Sequence, residues 1–282
     1  FAVPVHDYRG RRGQVFYAST HQPPLPFALR GEVTAVGRIL SYLPHRTARP
    51  AFPRDVPRPG LTPRHVLTTY NATPLVDAGY TGKGATIVIF GFDGYDQRDL
   101  DMFADISGLP RFAPVVIGAP LDPPHGETVM DLEVAHAIAP DARLVVVNAR
   151  PTLQGGGTFE KIGRMFDDAA RRFPGSVWSL SIGWGCDAFA AEADLAPVRA
   201  ALTNAHRRGI TVFDATGDIG GLECKGGKDW STAPGPHDIG VDTIAALPEI
   251  TAVGGTTLST DLDGRWLQEQ AWIDVPMSQG SS

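Results

Sequence analysis

The segment that decides the fold is HGETVMDLEVAHAIAPDARLVVV, residues 125–147. Its first half becomes apolar after Glu133 and reaches Pro140-Asp141, which predicts a helix that ends there. The run from Arg143 to Val147 is mostly valine and predicts a buried strand. A helix followed at once by a buried strand is the repeating unit of α/β proteins.

Two carboxylates stand at the start of this predicted helix. Glu127 and Asp131 are four residues apart, so their side chains project from one face of the helix. Like charges at this spacing repel by roughly 0.2–0.5 kcal/mol, a cost that a shared proton, a cation or a catalytic task would offset. Many acidic residues in a first helical turn only favour the helix dipole. We expect the two carboxyl groups to share a hydrogen bond and at least one pKa to be raised.

The alternation of strands and helices continues along most of the chain from Leu61 onward. Predicted strands are Ala85–Phe90, Val115–Ile117, Arg143–Val147, Val177–Ile182, Ile210–Phe213 and one that begins at Ile250. Predicted helices, besides the one described above, are Asp99–Ile106, Thr158–Arg172 and Leu195–Arg208, with Asp194 as a candidate cap. Strands that alternate with long helices predict a doubly wound parallel sheet with helices on both faces.

Composition narrows the possible functions. The chain has 282 residues, of which 43% are hydrophobic and 20% charged, so it is globular rather than disordered. Its net charge is −6 and no long basic block occurs, which argues against nucleic acid as a partner. No apolar run approaches the length of a membrane span. The spacing of the two cysteines, Cys186 and Cys224, leaves open whether they are free or bridged.

Residues 1–60 differ from the rest of the chain. Segments 3–9 and 14–18 alternate in polarity like two strands around a turn. Residues 45–60 are rich in Pro and Arg and poor in apolar side chains, which predicts a linker that proteases cut easily.

Four segments with unusual polar or glycine-rich sequences are predicted at one edge of the sheet. They are residues 91–96, the helix start at Glu127, residues 179–185 and residues 214–221. The carboxyl ends of parallel strands form the crevice where α/β folds bind ligands, so the four segments should converge there. Within the first segment we interpret Asp93 and Asp96 as turn-forming residues.

The order of these segments resembles that of subtilisin-like proteases. Where subtilisins use an Asn to donate to the oxyanion, this chain has Asp218. A protonated Asp donates to an oxyanion and an ionised one repels it, so Asp218 fits a site that works in acid or that keeps this carboxyl protonated by burial. Acid also protonates histidine, which favours Glu127 over His125 as the base.

These residues together resemble the sedolisin family, the serine-carboxyl peptidases. Residues 126–133 match the family's Gly-Glu-x-x-x-Asp-x-Glu pattern, and residues 217–220 match its Gly-Asp-x-Gly pattern. The resemblance implies a subtilisin-like doubly wound α/β sheet and an acid-acting endopeptidase. It implies that Glu127 is the general base, that Asp131 orients it, and that Asp218 donates to the oxyanion.

Further site residues follow from the same resemblance. Trp184, Ser181 and Gly183 are implied to line the substrate cleft or to join the acidic network. The loops that carry Cys186 and Cys224 follow neighbouring strands and are bridged in several family members, so we expect a disulfide. A secreted protein is implied, since disulfides persist in oxidising compartments.

The resemblance also divides the chain into domains. Residues 1–44 resemble the C-terminal part of the family's α+β propeptide domain, residues 45–60 are the linker, and residues 61–282 resemble the N-terminal part of the peptidase domain. The chain is therefore expected to be zymogen-like. Its implied partners are a polypeptide substrate and its own missing C-terminal portion, with neither nucleic acid nor membrane.

The family's nucleophile lies in a Gly-Thr-Ser motif, and that motif does not occur in these 282 residues. The calcium site of the complete family domain is also implied to lie beyond them, so we predict no metal ligand set within this chain. The chain alone is expected not to hydrolyse peptides. Two alternatives remain open: a non-catalytic pseudoprotease or peptide-binding fragment of the same fold, and a neutral subtilase that uses His125 as its base.

Overall fold

The computed structural model describes residues 4–9, 15–19, 60–118, 126–226 and 233–272. The chain divides into two compact units, residues 1–53 and residues 54–282. In the first unit, strands β1 (Val5–Arg9) and β2 (Val15–Ser19) pair as an antiparallel hairpin. The predicted linker, apart from Gly60, lies outside the described residues, and so does His125. The predicted cleavage of the linker stays a prediction.

The second unit contains the parallel sheet that the sequence predicts. Its six strands are β3 (Thr86–Gly91), β4 (Val115–Ile117), β5 (Arg143–Asn148), β6 (Val177–Leu180), β7 (Thr211–Ala215) and β8 (Thr251–Val253). They lie in the order β4-β5-β3-β6-β7-β8, and every neighbouring pair is parallel. An antiparallel hairpin of β9 (Thr256–Thr260) and β10 (Trp266–Ala271) follows. The subtilisin-like α/β class is confirmed.

Helices connect the strands. They are α1 (Pro63–Thr69), α2 (Thr73–Asp77), α3 (Gln97–Ser107), α4 (Glu127–Ile138), α5 (Thr158–Arg172) and α6 (Glu192–Arg207). Helix α6 begins earlier than predicted, with Ala191 at its N-cap. Asp194 is therefore not the cap but the third residue of the helix, and its carboxylate accepts the N–H of Ala191 at 3.3 Å.

One face of the sheet is covered by α5 and α6. Phe90, Phe166 and Trp178 are completely buried there, and the Phe90 ring meets the rings of Phe166 and Trp178 edge-on with centroids 5.3 and 5.1 Å away. The helices approach closely because α5 carries Gly163, where a Cβ would lie 2.8 Å from the carbonyl oxygen of Pro197 in α6. This face forms the main core of the unit.

The opposite face is covered only in part. Helices α3 and α4 bury a smaller cluster on it, formed by Ile89, Leu100, Leu132, Leu144 and Val146. Beside this cluster an apolar groove of about 310 Å³ runs along α4. Its lining includes Ile87, Ile89, Asp131, Val134, Ile138, Val177 and Phe213. Four of these side chains remain 36–53% exposed: Val134, Ile138, Val177 and Phe213.

Candidate active site

The start of α4 is fixed by the end of β3 rather than by its own N-cap. The N-cap is Gly126, which has φ +111° and no side chain to accept a hydrogen bond. Instead, Oδ1 of Asp93 accepts the N–H of Thr128 at 3.1 Å and also its hydroxyl. Gly91 allows this contact, since a Cβ there would collide with the Thr128 hydroxyl. The turn after β3 and the first turn of α4 are therefore joined.

Glu127 and Asp131 lie on the first turns of α4 and have perturbed acidities. Desolvation raises the pKa of Glu127, and the charges of Asp218 and Asp93 raise it further. Desolvation raises the pKa of Asp131 to about 7, with smaller upward contributions from Glu127 and Asp93. The carboxyl groups from α4, from the turn after β3 and from the loop after β7 thus interact electrostatically.

The prediction that Glu127 and Asp131 share a hydrogen bond is wrong, because no such bond joins them in the described part of the chain. Asp131 Oδ1 instead accepts the hydroxyl of Ser181, at 3.1 Å, from the loop after β6. This bond favours the ionised form and lowers the pKa of Asp131, but desolvation outweighs it. The raised pKa of each carboxyl agrees with the prediction.

Asp218 sits in a tight loop after β7 and is exposed. Glu223 closes this loop, since its Oε1 accepts the N–H of Ile219 at 2.9 Å. Gly217 leaves room for the Glu223 carboxyl and has φ +103°, a conformation that side chains strain. The loop is thereby held on the same edge of the sheet as α4, where the Asp218 charge reaches Glu127.

A disulfide joins this loop region to the neighbouring one. Cys186, in the loop after β6, is bonded to Cys224, in the loop after β7. Both cysteines are buried, and Gly240 packs so closely against their sulfur atoms that any Cβ there would collide with them. The pairing ties together the two loops that present Ser181 and Asp218.

Hydrogen bonds to Asp242 hold the loop after β6 in place. Oδ2 of Asp242 accepts the N–H groups of Trp184 and Gly185 at 2.7 and 3.1 Å. Gly183 is needed for this approach, since a Cβ there would lie 2.9 Å from Oδ2. The indole N–H of Trp184 donates to Thr152 Oγ1 at 2.9 Å. Within the described residues it makes no hydrogen bond to the site carboxyl groups, and its half-buried ring packs against the main core.

A further carboxyl group with a raised pKa lies behind the site. Asp214 is 1% exposed, and its carboxyl oxygens make no hydrogen bond of normal geometry with the described residues, although the nearby Ala215 N–H lowers its pKa slightly. Desolvation, and then the charge of Asp242, raise its pKa to about 8. It points to the same side of the sheet as Val212, which packs in the core under α5 and α6. It therefore faces away from Glu127 and Asp131.

Sequence reasoning missed Asp93, Glu223 and Asp242 as supports of the site. A usable signal existed for Asp214, since an acidic residue at an inward position of a buried strand is unusual. The other three act through contacts with residues distant in sequence, which spacing does not show.

The chain is similar in sequence to two curated proteins. No family model matches the chain. Kumamolisin from Bacillus sp. (strain MN-32) is 32% identical over 210 residues, covering 70% of this chain and 35% of that protein. Sedolisin from Pseudomonas sp. (strain 101) is 27% identical over an alignment of 303 residues, covering 99% of this chain and 49% of that protein.

A solved structure is also similar to this chain. Pseudomonas sedolisin, a serine-carboxyl proteinase complexed with two molecules of pseudo-iodotyrostatin, superposes with a TM-score of 0.60 and 25% identity. The match covers 76% of this chain and 58% of that one.

The six-stranded parallel sheet with helices on both faces defines a subtilisin-like α/β fold. The chain belongs to the sedolisin family and is kumamolisin-like. It spans only 35% and 49% of the lengths of the two curated relatives it matches. No helix in the described ranges is long and apolar enough to cross a membrane.

Proposed function

We propose that this chain carries the acidic half of an acid-acting serine-carboxyl endopeptidase, in a zymogen-like form that lacks the nucleophile. The observation that supports this most is the geometry at the start of α4, where Glu127 and Asp131 share one helix face and the Ser181 hydroxyl donates to Asp131 Oδ1 at 3.1 Å. In the intact reaction, Glu127 takes the proton of a serine hydroxyl as that oxygen attacks the peptide carbonyl. Asp218 donates a hydrogen bond to the tetrahedral oxyanion.

The roles of the two α4 carboxyl groups follow from their acidities. Below pH 7 Asp131 is largely protonated, so it places little negative charge beside Glu127 while the Ser181 hydroxyl holds it in position. Glu127 is then the proposed proton acceptor of the pair. A histidine base would be charged under the same acidic conditions and could not accept one.

The nucleophile is proposed to come from a polypeptide that seats on the apolar groove. That groove begins at Asp131 and is lined by exposed side chains of α4 and of neighbouring strands, such as Val134 and Phe213. A segment lying there would bring its residues next to the acidic site. The curated relatives are two to three times longer than the matched part, so the proposed partner is the C-terminal portion of the same protein.

The remaining features of the proposal concern substrate, compartment and metal. A polypeptide substrate would lie in the crevice above Glu127 and Asp218. The Cys186–Cys224 disulfide supports a secreted protein. Calcium is proposed to belong to the complete family domain, because the one cluster of possible metal ligands among the described residues does not fit it. The candidate metal cluster among the described residues is Cys186, Asp187 and Cys224, whose sulfur atoms are bonded to each other, whereas calcium requires oxygen ligands.

The test is complementation. The 282-residue chain is mixed with a separately produced C-terminal polypeptide, and peptide hydrolysis is measured from pH 3 to 8. We expect turnover only in acid and only in the mixture, and we expect Glu127→Gln to abolish it. Glu133→Gln is the matched control, since Glu133 lies on the same helix but interacts with Asp99 rather than with the site. Turnover that survives Glu127→Gln would contradict the proposal.

A second function is favoured by the absence of a Gly-Thr-Ser motif from these 282 residues. The chain would then bind peptides in the crevice without cleaving them. Equilibrium dialysis with labelled peptides separates the two functions: tight binding by the chain, together with an inactive mixture, would favour the non-catalytic one.

A further inference from the structure

We propose that Asp93 is a positioning residue of the acidic site, whose carboxylate anchors the first turn of α4 and adds a third negative charge beside Glu127 and Asp131. The proposal deepens the proposed function, because it concerns the same pair of carboxyl groups.

The anchoring rests on the contacts of a buried side chain. Asp93 is 6% exposed and Thr128 is fully buried. Oδ1 of Asp93 accepts both the N–H and the hydroxyl of Thr128, and the Thr128 hydroxyl also lies 3.2 Å from the backbone oxygen of Asp93. The first N–H groups of a helix need such acceptors, and Gly126 supplies none. A residue 35 positions earlier therefore caps α4.

The anchored residue is the neighbour of the proposed base. Thr128 directly follows Glu127, so fixing the backbone of Thr128 fixes the direction in which the Glu127 side chain leaves the helix. Close packing reinforces this, because the Thr128 hydroxyl sits against Gly91 at the end of β3. A misplaced base loses rate steeply, since proton transfer requires hydrogen-bond distance.

Asp93 brings a negative charge to this position in addition to its hydrogen bonds to Thr128. Asn is as good a helix N-cap as Asp and would bring no charge. A buried Asp beside two other carboxyl groups adds desolvation and repulsion. Its charge does reach both of them, since it contributes to the raised pKa of Glu127 and of Asp131. The charge of Asp93 therefore acts on the pair in addition to the cap.

The charged groups around the pair come from several elements. Asp93 follows β3 and Asp218 follows β7, and both act on Glu127. Arg150 follows β5, with its guanidinium 3.5 Å from the backbone oxygen of Phe92, and it is not among the groups that shift the pKa of Glu127 or Asp131. The neutral hydroxyl of Ser181 faces Asp131. His125 adjoins the helix in sequence and lies outside the described residues.

The experiment separates the charge from the cap. Asp93→Asn keeps an acceptor oxygen for Thr128 and removes the charge, whereas Asp93→Ala removes both. Carboxyl carbon-13 NMR titrations of the 282-residue chain report Asp131 and Glu127 directly. In Asp93→Asn we expect the pKa of Asp131 to fall by about 0.5–1 unit, with the melting temperature kept. Asp93→Ala should show the same fall and a lower melting temperature.

Two controls make the outcome decisive. Asp96→Asn alters the same turn, where Asp96 caps α3 by accepting the N–H of Arg98 at 2.9 Å, and it should leave the Asp131 titration unchanged. Asp93→Asn combined with His125→Gln should keep the fall, since the charge acts directly. If Asp93→Asn does not fold, Asp93→Ser replaces it.

An Asp131 titration that is unchanged in Asp93→Asn overturns the inference, whatever the wild-type value. A fall that disappears when His125 is also replaced overturns it as well, since the charge would then act through His125. Failure of the proposed function is distinguishable, because that appears in the complementation assay and does not depend on Asp93.

Discussion

Helices cover the two faces of the parallel sheet to different extents. Under α5 and α6 the core is closed, and Ile162, Phe166 and Trp178 have no exposed surface. Beside α4 the other face is open, and Val134 and Phe213 remain 53% and 37% exposed. Stability is therefore concentrated on the closed face, while the site lies on the open one.

The same contrast separates two carboxyl groups at one edge of the sheet. Asp131 borders the open groove, has a hydroxyl partner in Ser181, and has a pKa of about 7. Asp214 lies on the closed side, makes no hydrogen bond of normal geometry with the described residues, and has a pKa of about 8. Asp131 can therefore be reached from the groove, whereas Asp214 is enclosed by the core and is expected to affect the stability of the fold.

The largest expected effect concerns activity at the open face. The 282-residue chain alone should hydrolyse no peptide at a rate above ~10³–10⁴-fold over water, since losing a nucleophile removes about 10⁶-fold. In the complemented enzyme, Glu127→Ala should remove activity on the same scale, whereas His125→Ala should have a mild effect. Stopped assays across pH check this. Robust cleavage by the purified chain, after controls for contaminants, would contradict it.

The next largest effect compares the same substitution, Ile to Ala, on the two faces of the sheet. Ile162→Ala, in the closed core, should lower the free energy of unfolding by about 2–5 kcal/mol. Ile138→Ala, on the open side of α4 where Ile138 is 36% exposed, should lower it by less than about 1 kcal/mol. Urea denaturation at one pH measures both. Equal losses would show that the α4 face is as tightly packed as the other.

The disulfide joins the loops that follow β6 and β7 at the carboxyl edge of the sheet. Replacing Cys186 and Cys224 together by Ala should lower the free energy of unfolding by about 2–4 kcal/mol, through a freer unfolded chain. In the native, unreduced protein neither thiol should react with an alkylating reagent, which mass spectrometry detects. Alkylation of both cysteines would refute the bond.

The smallest expected effect concerns Asp214, the buried carboxyl group on the closed face. The folded-state pKa of Asp214, about 8, exceeds the ordinary value of 3.8, so the unfolded chain releases this proton first as pH rises. Stability should therefore fall between pH 4 and 8, and Asp214→Asn should remove about 1–3 kcal/mol of that fall between pH 5 and 7. Asp77→Asn on the exposed helix α2 is the control. A parallel pH dependence in both variants would contradict the assignment.

Much of the fold could be predicted because buried parallel strands are apolar on both sides. Thr158–Arg172 was predicted with the bounds that the structure shows, since its apolar spacing is regular. The start of α6 was placed too late, because Glu192 and Ala193 carry no apolar signal and Asp194 looks like a cap.

The site was predictable only where spacing within one element determines it. Glu127 and Asp131 are neighbours on one helix face, which i, i+4 spacing shows. The hydrogen bond from Ser181 to Asp131 spans 50 positions, and no sequence period shows it. Asp93 was interpreted as a turn residue because its partner Thr128 comes from another element.

The Cys186–Cys224 bond has one more consequence. The two cysteines are 38 positions apart, and the chain between them forms a closed covalent ring that contains α6, β7 and Asp218. A single backbone break inside this ring leaves both pieces in one molecule, and gel electrophoresis would show two bands only after reduction. For a member of a peptidase family, this means that a nick in the exposed loop at Asp218 opens the loop without releasing the segment that carries it.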